Sequence, residues 1–260
     1  MPDLLEMLGH RAKTEGVPLR LVIKEALQLF ALEAIFRDPL SRRLTFQGGT
    51  CLRLIYGGGR YSEDLDFVTE LDPEERKVLL QKISPSLQIL GPFFGAELLV
   101  RLQKDTETFT RWKLTLAGRI SLSISVELAR YPAYTLFLAP PRVPADLPSL
   151  PFFVIRAEKE EELLADKVVA LAGRGFFKGR DVFDIWFLSR KGIRPDRELV
   201  RKKLEDYRIP LDDLKRALRE PELKNLDREM AIYVPSSIRG HLNLEKEVPG
   251  ILAVLRKELV

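Results

Sequence analysis

Two aspartates one residue apart, Asp64 and Asp66, lie in the run Ser62-Glu63-Asp64-Leu65-Asp66-Phe67-Val68, where Leu65 and Phe67 alternate with them. The alternation predicts a strand with one acidic edge. Both carboxylates then share a face, about 7 Å apart at the backbone for a rise of ~3.3 Å per residue. That spacing lets them share or bridge a divalent cation. Hard, oxygen-only ligands suit Mg²⁺ or Mn²⁺, which keep their other positions for water and phosphate oxygens. A second cation needs a third carboxylate. Glu127 is the candidate, because Ser121, Ser123, Ser125 and Glu127 alternate with Leu122, Ile124, Val126 and Leu128 in a second predicted strand.

An Asp-x-Asp pair is common at strand starts and in turns, so the surroundings have to decide. Gly48-Gly49-Thr50 falls at a predicted strand-to-helix junction, where backbone N–H groups and a hydroxyl can cradle phosphate oxygens. A turn that needs glycine only for its backbone geometry would account for Gly48 and Gly49. It would not account for Arg60 and Ser62 just ahead of the aspartates.

A second constellation begins on the helix expected from Glu158 to Ala172. Leu163, Leu164, Val168 and Leu171 form its apolar stripe, and Lys167 and Arg174 fall inside that stripe. Cations on a buried face are unfavourable unless they snorkel or meet anions. Arg180, Asp181 and Asp184 follow on the next helix, expected over residues 181 to 191. The grouping reads either as a structural ion-pair network or as a site where a nucleotide triphosphate supplies the anion for Lys167.

The elements that must position these residues are legible in outline. Residues 2 to 37 read as helical, with Leu19, Val22, Ile23, Ala26, Leu27, Phe30 and Ala34 at spacings of three and four. A short strand is expected over residues 43 to 47, a short helix over 50 to 56, and a helix over 73 to 83. Strands are expected over 111 to 117 and 121 to 128. Six prolines between Tyr131 and Pro151 predict an extended connector, and the remainder reads as helical.

Composition narrows the chemistry. At 260 residues, with 45% hydrophobic and 31% charged, the chain suits one large or two small globular domains. Cys51 is the only cysteine, and His10 and His241 are the only histidines, so any metal is expected on oxygen ligands. The net charge of +4 is matched by the segment from residue 190 onward, with 17 basic against 13 acidic residues. An anionic partner is therefore expected there, at Arg201-Lys202-Lys203 and Lys215-Arg216. No apolar run approaches the roughly 18 residues of a membrane span, and Met1-Pro2-Asp3 has no signal-peptide pattern, so a cytoplasmic protein without a membrane is expected. Scarce Asn and plentiful Pro and charge suggest a heat-tolerant source.

The blocks Phe46-Gln47-Gly48-Gly49-Thr50-Cys51-Leu52, Arg60 to Phe67, Glu162 to Lys167 and Arg180 to Asp184 together resemble the AbiEii family of nucleotidyltransferases, within the DNA polymerase β-like superfamily. The resemblance spans roughly residues 15 to 190. It implies an α+β fold: a polymerase β-like nucleotidyltransferase core with a mixed sheet flanked by helices, plus a helical C-terminal region. The division expected is a core with N-terminal helices over 1–155, and a helical domain over 156–260 that completes the active site.

The resemblance also implies transfer of a nucleoside monophosphate from an NTP to an acceptor hydroxyl, with the acceptor end of tRNA as the expected RNA acceptor. It implies a toxin of a toxin–antitoxin or abortive-infection system, with an antitoxin encoded nearby that acts indirectly. Asp64, Asp66 and Glu127 would hold metal. Gly48, Gly49, Thr50, Arg60, Ser62 and Lys167 would meet the nucleotide, with Asp181 and Asp184 supporting Lys167 or completing the site. Thr50 stands where the superfamily often has Ser, which preserves the hydroxyl, and Glu127 matches by strand order and facing alone. The other readings open at this level are a catalytically degenerate RNA- or protein-binding member, a transferase for a small molecule or a protein, and a hydrolase or phosphotransferase on the same acidic edge.

Overall fold

The computed structural model describes residues 3–147, 150–173, 178–219 and 223–260. These form two compact units: Met1–Gly57 with Tyr61–Ala157, and Gly58–Arg60 with Glu158–Val260.

In the first unit the elements are α1 (Leu4–Glu15), α2 (Leu19–Arg37), β1 (Leu44–Gln47), α3 (Gly48–Leu54), β2 (Leu65–Thr69), α4 (Pro73–Gln88), β3 (Ala96–Asp105), β4 (Phe109–Gly118), β5 (Leu122–Ala129), β6 (Phe137–Ala139) and β7 (Ile155–Ala157). The strands form one mixed sheet in the order β3-β4-β5-β2-β1-β7-β6. β2 runs parallel to β5 and β1 parallel to β7, and the other neighbours are antiparallel.

Alternation along the central strands sends Leu65 and Phe67 of β2, Trp112, Leu114 and Leu116 of β4, and Ile124, Val126 and Leu128 of β5 into the core. Helices α2 and α4 pack on these strands, and the rings of Phe46 and Phe67 meet at 5.2 Å across β1 and β2. Truncating one such side chain to Ala would destabilise the unit by about 2–5 kcal/mol. The polar face of β2 is therefore fixed by its apolar one, since a one-residue slip would bury Asp66.

Three expectations are corrected here. The single helix over residues 2 to 37 is two helices: Gly16, at φ 66°, caps α1 by donating its N–H to the carbonyls of Ala12 and Lys13, and Pro18 stands at the start of α2. α4 begins at a capping box between Asp72 and Glu75 and runs past residue 83, through Pro85, to bury Leu87. β3 is not foreshadowed by its pattern, because only Leu98 is buried along it. An edge strand is held mainly by its ladder to β4, and its sequence need not alternate. Within the proline-rich connector, residues 137 to 139 form β6.

The second unit carries α5 (Glu160–Gly173), α6 (Gly179–Arg190), α7 (Arg197–Asp206), α8 (Leu211–Arg219), α9 (Leu226–Met230), α10 (Ser236–Arg239) and α11 (Leu244–Leu259). α5 packs against α6, α7 and α8, burying Leu163, Leu164, Val168 and Leu171 as its stripe predicts. Arg174 lies outside the described residues. The α+β class read from the sequence is the one the chain forms, with a helix-flanked mixed sheet followed by a helical region. Among the described residues no helix is long and apolar enough to cross a membrane.

Candidate functional site

In the first unit the strand registers line up a polar row across four strands. Gln47 of β1 is the partner of Asp66, Asp66 of Glu127, and Glu127 of Arg111 on β4. Partners in register point to the same face, so Asp66 and the third carboxylate, Glu127, share one face, whereas Asp64, expected on the strand with Asp66, stands just ahead of it. The core-facing neighbours Phe67, Val126 and Trp112 occupy the other.

Asp66 projects beside the start of α3. Gly48 there is in the left-handed region at φ 80°, and a Cβ on it would lie 2.4 Å from Asp66 Oδ2. Glycine is therefore required twice over, for the backbone and for the carboxylate. Asp64 lies one residue ahead of β2, where extended pairing has not begun. Its Oδ1 accepts the backbone N–H of Ser125 at 2.9 Å, and its own carbonyl accepts the Thr50 hydroxyl. Asp64 is thus fixed from both sides by neutral donors.

That arrangement revises the part expected of Thr50. The residue is fully buried, and its hydroxyl is spent on the Asp64 carbonyl rather than offered to a phosphate. Gly49 is buried in the same first turn. Ser62 is buried too, and its carbonyl accepts from Gln28 Nε2 on α2 at 3.2 Å. Glu127 is held by Arg111, whose Nε lies 2.8 Å from Glu127 Oε1. Among the described residues no three His, Cys, Asp or Glu side chains are gathered to hold a metal ion as they stand.

In the second unit Arg60, Lys167, Asp181 and Asp184 are joined by ion pairs. Arg60 donates from Nε and Nη2 to the two oxygens of Asp184, each at 2.7 Å, a two-pronged pair. Lys167 Nζ lies 2.9 Å from both Asp181 Oδ1 and Asp184 Oδ2. Burial pulls the Lys167 ammonium toward neutrality, and the carboxylates of Asp184 and Asp181 more than offset it, raising its pKa above the usual lysine value. The ion-pair network is present in the structure: Lys167 meets Asp181 and Asp184, and Asp184 also engages Arg60.

The basic residues expected to face an anionic partner after residue 190 are also engaged. Arg201 pairs with Glu198 and Glu205, Lys202 with Glu198, Lys215 with Asp212, and Arg216 with Asp213. Lys203 is buried against Glu158, Glu162 and Asp166. Their charge is balanced locally. Sequence reasoning missed Gln28 and Arg111; the alternation of Arg111, Lys113 and Thr115 with Trp112, Leu114 and Leu116 was visible, but only the register puts Arg111 beside Glu127.

Comparison with known proteins gives the family and the fold. Residues 31–242 match the family described as nucleotidyl transferase AbiEii toxin, type IV TA system. Among solved structures, the chain is similar to MenT4, a nucleotidyltransferase toxin from Mycobacterium tuberculosis, with 18% identity over 96% of this chain and 88% of that one, at a TM-score of 0.60. It is also similar to JHP933 from Helicobacter pylori, with 18% identity over 94% of each chain and a TM-score of 0.57. At such identity the likeness is one of fold. None of the curated proteins gives a significant match.

Proposed function

The chain belongs to the AbiEii nucleotidyltransferase family, and from that premise we propose that it transfers a nucleoside monophosphate from an NTP to a hydroxyl of RNA, the acceptor end of tRNA, with Asp64 and Asp66 holding a divalent cation. The observation that carries this reading is the fixing of the two aspartates. Asp64 is oriented by the Ser125 N–H and the Thr50 hydroxyl, and Asp66 is given its space by Gly48.

The donor set fits Mg²⁺ or Mn²⁺. Both ligands are carboxylates, one Asp64 oxygen is taken by an N–H while the other is not needed for that bond, and the nearby Cys51 is buried within α3. When bound, such an ion stabilises negative charge on the triphosphate and on the oxygens that exchange at phosphorus. Glu127 would join the set by exchanging Arg111 for metal.

In the reaction, the acceptor oxygen forms a bond to the α-phosphorus as the bond to the β-phosphate oxygen breaks, and pyrophosphate leaves. The residues of the chain position charge for this. The first N–H groups of α3, whose N-cap Gln47 makes no side-chain capping bond, are suited to phosphate oxygens at Gly48, Gly49 and Thr50. Ser62, whose carbonyl accepts from Gln28, supports the lead-in to Asp64 rather than the nucleotide directly. As a family of type IV toxins implies, an antitoxin encoded nearby would act indirectly, and the activity belongs in the cytoplasm.

Incubation with each labelled NTP, Mg²⁺ and total RNA tests the proposal. The expected result is RNA carrying the label of an α-labelled nucleotide, lost on chelation. Label on a small molecule or protein instead of RNA, or release of free mononucleotide alone, would overturn the acceptor or the reaction class respectively.

A further inference from the structure

The polar face that carries Asp66 and Glu127 continues across β4 and β3, and there it turns basic. Arg111 and Lys113 point to this face from β4, because Thr110, Trp112 and Leu114 between and beside them are buried. The register then places Lys104 of β3 beside Arg111, and Arg101 beside Lys113. Four cations therefore form a two-by-two block on neighbouring strands, separated by about 5 Å across strands and about 7 Å along them. Phe109, on the same face, lies under two of them: Lys104 Nζ is 5.3 Å and the Arg111 guanidinium 5.4 Å from its ring centre.

Charge on an edge strand is a common guard against aggregation. That role does not account for this block. β4 is an interior strand, and the guard function is served by any charge, of either sign. Here the register sets like charges directly opposite each other twice, Arg101 against Lys113 and Lys104 against Arg111, an arrangement that destabilises a sheet. Of the four, only Arg111 meets a carboxylate across the sheet, Glu127, and among the described residues Arg101 and Lys113 have no acidic partner. A polyanion would relieve that repulsion.

We propose that the open face of β3, β4 and β5 is the surface on which the acceptor polynucleotide lies, its phosphates on Arg101, Lys104 and Lys113 and an unpaired base or sugar against Phe109. This rests on the reading of an RNA acceptor. It moves the anion-binding surface from the C-terminal helices, whose named bases are balanced by acids, to the sheet that bears the carboxylates. RNA running over this block would reach Glu127 and Asp66 one and two strands further on.

The test is the full-length triple variant Arg101→Gln, Lys104→Gln, Lys113→Gln, with labelled bulk transfer RNA titrated at several salt concentrations. Removing three phosphate contacts should reduce the slope of log affinity against log salt by about 2, and weaken binding about tenfold or more at low salt. The melting temperature should stay level or rise as the like-charge pairs vanish, and the shift given by Mg²⁺ with NTP should be retained. Unchanged affinity and slope would overturn the proposal. So would equal loss of binding to polyglutamate of matched charge, which would assign the face to an acidic protein. Asp66→Ala separates the two readings: it should bind the RNA normally while losing transfer, and persistent transfer there would sink the metal assignment without touching this surface.

Discussion

The two aspartate groups of this chain, one beside β2 and one on α6, use the same side chain to opposite ends. Asp64 is held by a backbone N–H and, through its carbonyl, by a hydroxyl, so both of its named partners are neutral. Asp184 is held by the two prongs of Arg60 and by Lys167. A buried carboxylate saturated by cations is compensated at rest and acts as structure. Asp64, half-buried and fixed by neutral donors, has no cation among those partners. The nature of the partner, more than the presence of the acid, separates a binding carboxylate from a structural one.

The comparison predicts opposite responses to the same substitution. Asp184→Ala strands Arg60 and weakens the hold on Lys167 in the interior, and should cost about 3–5 kcal/mol of stability, read from urea unfolding of the whole chain. Asp64→Ala should change stability by less than about 1 kcal/mol. Equal destabilisation by the two would break the comparison. Nucleotide transfer should reverse the order of sensitivity. Asp66→Ala or Asp64→Ala should lower it by about a hundredfold to a thousandfold, on the scale of losing a group that stabilises transition-state charge, with the melting temperature kept. Unchanged transfer in either variant removes that residue from the site.

A third acid-rich group sharpens the contrast because several carboxylates gather on one ammonium. Lys203 Nζ lies 3.1 Å from Glu158 Oε1, 2.7 Å from Glu162 Oε1 and 3.1 Å from Asp166 Oδ1, three carboxylates to one ammonium. Burial, and then the charge of Asp166, push the Glu158 carboxyl well above the usual carboxylate range; burial also raises Asp166. The sign follows from linkage. A group whose pKa is raised on folding holds its proton more tightly in the folded chain, so its stabilising contribution is full below the unfolded value and is lost as pH rises through the raised one. Stability should therefore fall as pH climbs from about 4.5, by about 1.4 kcal/mol per unit for each extra proton held. Glu158→Gln should flatten that slope in unfolding curves taken across mildly acidic to neutral pH. A slope unchanged by the substitution would mean that Glu158 is not the group that holds the proton.

What the sequence disclosed and what it concealed follow the same division. The shared facing of Asp66 and Glu127 was legible because contiguous alternation specifies which side chains share a face, and Gly48 because a glycine pair marks a strand-to-helix junction. The partners were not. Arg60 and Asp184 are 124 residues apart, and Arg111 meets Glu127 only through the register of β4 on β5. Lys167 looked misplaced on its helix because its anions come from the next one. In the fold, the break at Gly16 was hidden because Leu8 and Ala12 continue the apolar spacing of α2, and β3 was hidden because an edge strand can leave most of its side chains to solvent. Local pattern gives direction, whereas charge balance is a property of the assembled chain.

Thr50 gives the smallest of the expected effects and the finest discrimination. If its hydroxyl served the triphosphate, removing it would weaken NTP binding and raise KM. Its bond to the Asp64 carbonyl instead predicts a loss in turnover and in the response to Mg²⁺, with KM for NTP nearly unchanged. Thr50→Val keeps the shape and leaves that carbonyl short of a donor, which costs about 1–3 kcal/mol where the group is buried. Only part of this should reach the carboxylate, because the Ser125 N–H still holds Asp64 Oδ1, so a fall in turnover of about tenfold is expected. Thr50→Ser restores the donor and should restore turnover. A Val variant with raised KM and normal turnover would return Thr50 to the phosphate, and with it would weaken the claim that neutral donors, rather than cations, orient Asp64.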